Sequence, residues 1–227
     1  TVKVPATTAN LGPGFDSVGC AFALYNTISF ALCGEALTFS GCDEAYSNED
    51  NLTYIAFKAV YTYLDKPVPP CHISFDDINV PLSRGLGSSA ALIVAGAVGA
   101  NTLLGEPLSK EVILKICNDI EGHPDNLSPA IYGGLTASMV IDGIPYSVRY
   151  EIHSSLHFVA LIPDFELLTK TARSVLPKEI NFGDAVFNAS HLAVLLKALE
   201  NGDKETISLA LDDRLHQPYR KSLINNY

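Results

Sequence analysis

A chain of 227 residues, 48% hydrophobic and 18% charged, can bury a core and has room for one large or two small domains. Its formal net charge of −10 argues against a general nucleic-acid or anionic-membrane surface, although it leaves room for a local anion pocket. The five cysteines, Cys20, Cys33, Cys42, Cys71 and Cys117, are scattered and lack C-x-x-C spacing, which excludes a disulfide framework or zinc site and points to reduced thiols. No signal peptide opens the sequence and no apolar run reaches the ~20 residues a membrane span needs. The expectation is a cytoplasmic protein with neither a membrane nor a nucleic-acid partner.

Val2 and Val4 alternate with Lys3 as a first strand that Pro5 ends. Residues 5–19, PATTANLGPGFDSVG, form a turn-rich loop in which Gly12, Pro13 and Gly14 fix a tight path. Asn10 and Asp16 can serve there as ordinary Asx caps or be aimed into a cleft. Residues 22–32 read as a strand, with residues 37–40 as a short hairpin partner before the polar run 43–50. An amphipathic helix follows over residues 51–64, with Leu52, Ile55, Ala56, Ala59, Val60, Tyr63 and Leu64 on its inner face and its tyrosines in the core.

The segment HISFDDINVP reads as another strand, closed by Pro81. Pro81, Leu82, Ser83, Arg84, Gly85, Leu86, Gly87, Ser88, Ser89, Ala90 and Ala91 then lead into an Ala-rich, nearly uncharged helix. A glycine turn opening a helix presents unpaired N–H groups and the positive end of the dipole, and Gly85 and Gly87 let an anion approach the backbone. This is a phosphate cradle, to which Ser88 and Ser89 add hydroxyls able to meet a phosphate oxygen and a nucleotide-borne Mg²⁺. A plain turn with two capping serines is the bland alternative. The dinucleotide fingerprint G-x-G-x-x-A also fits, but the acid about 20 residues on, Glu106, lies in a link between helices where a strand end is required. A Walker A loop is excluded because no G-K-[ST] follows.

Ser109 caps a further helix, which Gly122 and Pro124 break at EGHPDN, residues 121–126. Glu121, His123, Asp125 and Asn126 thereby cluster in one turn, as caps or as the carboxylate and polar groups that phosphoryl transfer requires. Residues 135–141 and 146–152 pair across the Asp142-Gly143 turn. The pattern changes near residue 150: residues 157–162 read as a strand and residues 186–199 as a helix with Leu192, Leu195, Leu196 and Leu199 inward, ended by Gly202. Two segments, TKTARSVLPK and DRLHQPYR, hold most of the positive charge of the second part.

PLSRGLGSSAA resembles the second motif of the GHMP kinase superfamily, P-x-x-x-G-L-G-S-S-A-A, while PATTANLGPGFDSVG and EGHPDN resemble its homoserine kinase branch. The resemblance implies an α+β GHMP kinase fold: a ribosomal-protein-S5-domain-2-like ATP-binding domain over residues 1–150, then an incomplete ferredoxin-like domain over residues 151–227. It implies ATP-dependent phosphorylation of L-homoserine to O-phospho-L-homoserine with Mg²⁺; the alternatives are another GHMP kinase or a non-catalytic nucleotide-binding fragment. A homodimer is compatible with it. By the same resemblance residues 81–91 cradle ATP and Ser89 and Glu121 hold the metal. Asn10, Asp16, His123, Asn126, Arg173 and Arg220 hold the substrate, with Arg214 as the weaker alternative to Arg220. Glu121, Asp125 and Asn126 form the catalytic group, with Asp125 or the phosphate itself accepting the hydroxyl proton. The superfamily's third, glycine-rich motif is not found before Tyr227, hence the expectation of an incomplete second domain.

Overall fold

The computed structural model describes residues 1–224 apart from 35, 163, 166 and 168. Its organising strand is β2 (Val18–Leu32), whose one edge carries β1 (Val2–Ala9). The other edge is shared end to end by β4 (Cys71–Ile78), on residues 26–32, and β5 (Leu135–Ile141), on residues 18–20. β6 (Ile144–Tyr150) pairs with β5 across Asp142 and Gly143, both with positive φ (51° and 76°), as a type I′ turn requires.

The expected hairpin between residues 22–32 and 37–40 does not form. β3 (Thr38–Ser40) instead lies parallel to β4. The end of β2 is paired with β4 along residues 26–32, and the Thr38 and Ser40 hydroxyls bond the two ring nitrogens of His72 on β4 at 2.8 and 2.9 Å, which holds β3 beyond β4.

α1 (Leu52–Tyr63) starts at Asn51, whose side chain accepts from the Thr53 N–H, and α2 (Ser88–Leu103) packs across it. The inner face of α1 is rotated from the expected one: Thr53, Ala56, Phe57, Val60 and Tyr61 are buried, whereas Tyr63 is 53% exposed. The stacking of Phe57 on Phe30 of β2 selects this stripe. The small residues of α2 have a steric reason, since a Cβ on Gly96 would lie 1.9 Å from the Thr53 carbonyl oxygen. Two layers therefore sandwich one core, which also takes in α3 (Lys110–Glu121), capped by Ser109 as expected, and α4 (Leu127–Tyr132).

Beyond Tyr150 the described residues form α5 (Thr169–Ser174), α6 (Phe182–Asn201), α7 (Lys204–Ala210) and α8 (Gln217–Arg220). Leu195 and Leu199 of α6 and Ala210 of α7 share a second core with Val18, Cys20 and Leu135, so these two helices are seated on β2 and β5. The strand expected over residues 157–162 is absent: no described strand lies alongside to complete its hydrogen bonds, and Val159 and Leu161 are 83% and 92% exposed. All five cysteines are free, and burial raises the Cys20 and Cys71 thiols to about 11. Among the described residues no helix is long and apolar enough to cross a membrane.

Candidate active site

Residues 81–87 link β4 to α2 through three left-handed positions, Ser83 (φ 55°), Gly85 (φ 73°) and Gly87 (φ 63°). Gly87 is the N-cap of α2 and makes no side-chain capping bond, so the helix's first N–H groups remain available to an anion. A Cβ on Gly87 would stand 2.0 Å from Thr7 Oγ1 and 3.0 Å from Asn126 Oδ1, whereas one on Gly85 would meet nothing within 4 Å. Leu86 is buried, and its carbonyl accepts from the Thr7 N–H at 3.1 Å. Ala90 and Ala91 are only 1% exposed, so they fix the helix in the core.

In the first turn of α2, Ser89 Oγ donates to Glu121 Oε2 at 2.7 Å. Glu121 ends α3, which Gly122 terminates in a left-handed conformation. In the following turn Asp125, 2% exposed, accepts from the Asn126 N–H and lies 3.5 Å from His123 Nδ1. That contact raises the His123 pKa against the opposing effect of burial. Thr7 Oγ1 donates to Asn126 Oδ1 at 2.8 Å, tying β1 to this turn. A Cβ on Gly19 of β2 would sit 1.9 Å from the Asp125 carbonyl oxygen, so the turn rests directly on the sheet backbone.

The loop after β1 closes on itself where Asn10 Oδ1 accepts from the Asp16 N–H at 2.8 Å. Asp16 takes a bidentate pair from Arg173 of α5, at 2.8 Å from Nη1 and 2.6 Å from Nη2, and the Arg173 guanidinium lies 5.5 Å from the Phe15 ring centroid. Arg220 of α8 points into the same region: burial and the positive charge of Arg173 lower its pKa, opposed by Asp16, Asp125 and Asp213. Arg214 is engaged elsewhere, 3.2 Å from Asp184 and 3.8 Å from the Phe187 ring centroid.

Four positioning groups were not singled out from sequence. Beside Thr7 they are Asn188, Asp213 and His216. Buried Asp213 accepts from Asn188 Nδ2 at 2.7 Å and from the N–H groups of His216 and Gln217 at 2.9 and 2.7 Å. Burial works to raise its pKa, but these bonds hold it below the ordinary value. The acid ahead of the H-Q-P run in DRLHQPYR is a capping signal for the short helix carrying Arg220. His216 stacks on Phe15 with centroids 5.0 Å apart, and its Nε2 is 2.8 Å from the Gly12 carbonyl. A carbonyl only accepts, so Nε2 carries the hydrogen; the Arg220 guanidinium, 3.4 Å from Nδ1, only donates, so Nδ1 is bare. Arg220 thus favours the neutral ring, Gly12 accepts from either form, and burial is the dominant effect that lowers the pKa.

His216 and His123 contribute to stability with opposite pH dependence. The folded-state pKa of His216 lies below the unfolded value of about 6.5, so its stabilisation is complete above that pH and is lost as pH falls through it. His123, raised in the folded state, runs the other way: its contribution is present below about 6.5 and lost as pH rises through its folded value. Between pH 7.5 and 5.5 the two contributions oppose each other, and His216→Gln, whose amide can still donate to Gly12, is expected to shift the slope of urea midpoint against pH toward greater relative stability at the acid end. An unchanged slope would assign the effect to another group.

The nucleotide-type loop, the hydroxyl–carboxylate pair and the α+β frame define a GHMP kinase, and residues 51–134 match the family described as GHMP kinases N terminal domain. The chain is 47% identical over 230 residues to homoserine kinase of Thermosynechococcus vestitus, covering 100% of this chain and 76% of that protein. It is 46% identical over 230 residues to homoserine kinase of Clostridium acetobutylicum, covering 99% and 77%. A crystal structure of homoserine kinase from Cytophaga hutchinsonii matches with a TM-score of 0.85 at 27% identity, over 99% of this chain and 75% of that one. Phosphomevalonate kinase of Streptococcus pneumoniae, at 12% identity and a TM-score of 0.68 over 92% and 76%, shares the fold. The chain belongs to the homoserine kinase family.

Proposed function

We propose that this chain transfers the γ-phosphoryl group of ATP to the side-chain hydroxyl of L-homoserine, a cytoplasmic step toward threonine. The observation that carries the reading is the convergence of an anion cradle at α2, an oxygen pair at Ser89 and Glu121, and Asp16, Arg173 and Arg220, whose charges match both ends of an amino acid. Residues 81–89 enclose the phosphates, with the N–H groups after Gly87 meeting their charge. Ser89 and Glu121 offer the hard oxygen ligands that suit Mg²⁺, which characteristically takes one or two protein carboxylates alongside substrate phosphates. When bound, that ion neutralises charge on the transferring group.

Asp16 receives the substrate ammonium, and Arg173 and Arg220 receive its carboxylate, the latter a task suited to guanidinium's planar fork. Asn10 shapes the loop bearing Asp16, while His123 and Asn126 orient the substrate backbone and hydroxyl. Asp125 is already bonded to the Asn126 N–H and close to His123, so it orders the turn, and the hydroxyl proton passes to a phosphoryl oxygen, since a dissociative transition state needs little base assistance. Residues 1–150 accordingly act as the ATP-binding domain, and the later residues supply the arginines.

The test is ADP release from ATP and Mg²⁺ with L-homoserine, beside L-threonine, mevalonate and galactose, on this chain and on one extended to the family's length. Homoserine-dependent turnover is expected in the extended chain, and its absence there overturns the reading. In the active protein Arg173→Ala is expected to raise the homoserine KM about 100-fold while the ATP KM changes less than about twofold. Equal losses would remove Arg173 from the homoserine site.

A further inference from the structure

The ion pair between Asp16 and Arg173 joins two groups that the proposed function assigns to opposite ends of the substrate. Both Nη atoms of Arg173 bond the two oxygens of Asp16, across 157 positions of sequence, and about a third of each side chain is exposed (37% and 34%). The pair therefore closes the substrate region on itself. Its placement is well supported: Asp16 sits in a left-handed conformation (φ 53°), braced through Asn10, and Phe15 lies beneath the guanidinium. Arg220, by contrast, faces neutral His216 and makes no ion pair with a carboxylate among the described residues.

We propose that Asp16 and Arg173 occupy one another's ligand sites until a zwitterion replaces both, and that this exchange makes the site selective for ligands bearing an ammonium and a carboxylate together. The inference rests on the homoserine site assigned above and adds a selection rule to it. An incoming carboxylate meets Arg220 first and then displaces Asp16 from Arg173; the ammonium on the same molecule takes up the Asp16 carboxylate. A ligand with only a carboxylate gains Arg173 but leaves Asp16 partnerless in a partly desolvated cleft, and a ligand with only an ammonium strands Arg173. Leaving one member of such a pair unpaired is unfavourable well beyond the loss of one contact, which is how a site rejects a near-isostere.

Three ligands separate this from simple contact formation: L-homoserine, 4-hydroxybutanoate without the ammonium, and 3-aminopropan-1-ol without the carboxylate. Their affinities are measured by calorimetry on the family-length protein with Mg²⁺ and a non-hydrolysable ATP analogue, for wild type, Asp16→Asn and Arg173→Gln. If the two residues hold each other, Asp16→Asn weakens homoserine but strengthens 4-hydroxybutanoate about fivefold or more, because Arg173 is released. Arg173→Gln reciprocally strengthens 3-aminopropan-1-ol. If Asp16 only contacts the ammonium, 4-hydroxybutanoate binds Asp16→Asn and wild type alike, and the proposal is overturned. Should Asp16→Asn not fold, Arg173→Gln decides the matter in the same way, since unchanged 3-aminopropan-1-ol affinity overturns the proposal. ADP release with homoserine tests the enzymatic reading separately, so an exchange seen without turnover would retain the selection rule and reject the kinase assignment. No binding of any of the three ligands would reject both.

Discussion

Glu121→Gln is expected to lower kcat by a factor of about 10² to 10³, equivalent to roughly 3–4 kcal/mol of transition-state stabilisation. The substitution keeps the side chain's shape and a carbonyl oxygen that can still accept from Ser89 Oγ, now 2.7 Å away, but it removes the negative charge. Glu121 is the last residue of α3 and only partly buried, so thermal unfolding should shift by no more than about 2 °C. The two measurements together locate the loss in chemistry. A titration of Mg²⁺ against rate should also require higher concentrations in the variant, because one oxygen ligand has lost its charge. Ser89→Ala, which leaves the carboxylate in place, should be the milder change. A Glu121→Gln enzyme within threefold of wild type would remove this carboxylate from the phosphoryl-transfer site.

Gly87→Ala is expected to reduce kcat/KM for ATP by at least about 10², with most of the effect in nucleotide affinity. Two costs combine. A non-glycine residue at φ 63° carries strain of about 1 kcal/mol or more. The new Cβ would also sit 2.0 Å from Thr7 Oγ1, and Thr7 cannot swing aside because it is fully buried and bonded to Asn126. Relief must come from moving the phosphate loop or the turn bearing Asn126, and either displaces reacting groups whose alignment governs the rate. Gly85→Ala is the internal control: the backbone strain is similar at φ 73° but no atom lies within 4 Å of the added methyl. Nucleotide titrations of both variants should therefore separate conformational strain from collision. Equal losses at the two positions would show that strain alone is responsible.

The glycine turn that opens α2 was legible in the sequence because its signals are local: glycines, serines and an apolar helix stand consecutively in PLSRGLGSSAA. The cap at Ser109 and the turn at Asp142-Gly143 were readable for the same reason. Long-range pairing was not. Nothing near Asp16 announces Arg173, and the Ser89–Glu121 pair followed from the family resemblance rather than from spacing. Thr7 looked like one more residue of the turn-rich loop after Pro5, because its role depends on a partner 119 positions away. The misplaced third strand and the turned face of α1 share a cause: propensity and periodicity describe a segment, whereas the partner strand β4 and the Phe57–Phe30 stack decide where it docks.

The bare meeting of Gly19 with the Asp125 carbonyl has a consequence for redesign. There the sheet meets the turn bearing Asp125 main chain against main chain, with the Pro129 ring 3.0 Å from where a Cβ would stand, so position 19 admits no side chain. Retargeting the enzyme to a longer or bulkier hydroxy compound is therefore better begun at Arg173 and Arg220, which ride on helices of six and four residues. Short helices of that kind can be exchanged or lengthened as units while the sheet, and with it the geometry of phosphoryl transfer, stays as it is.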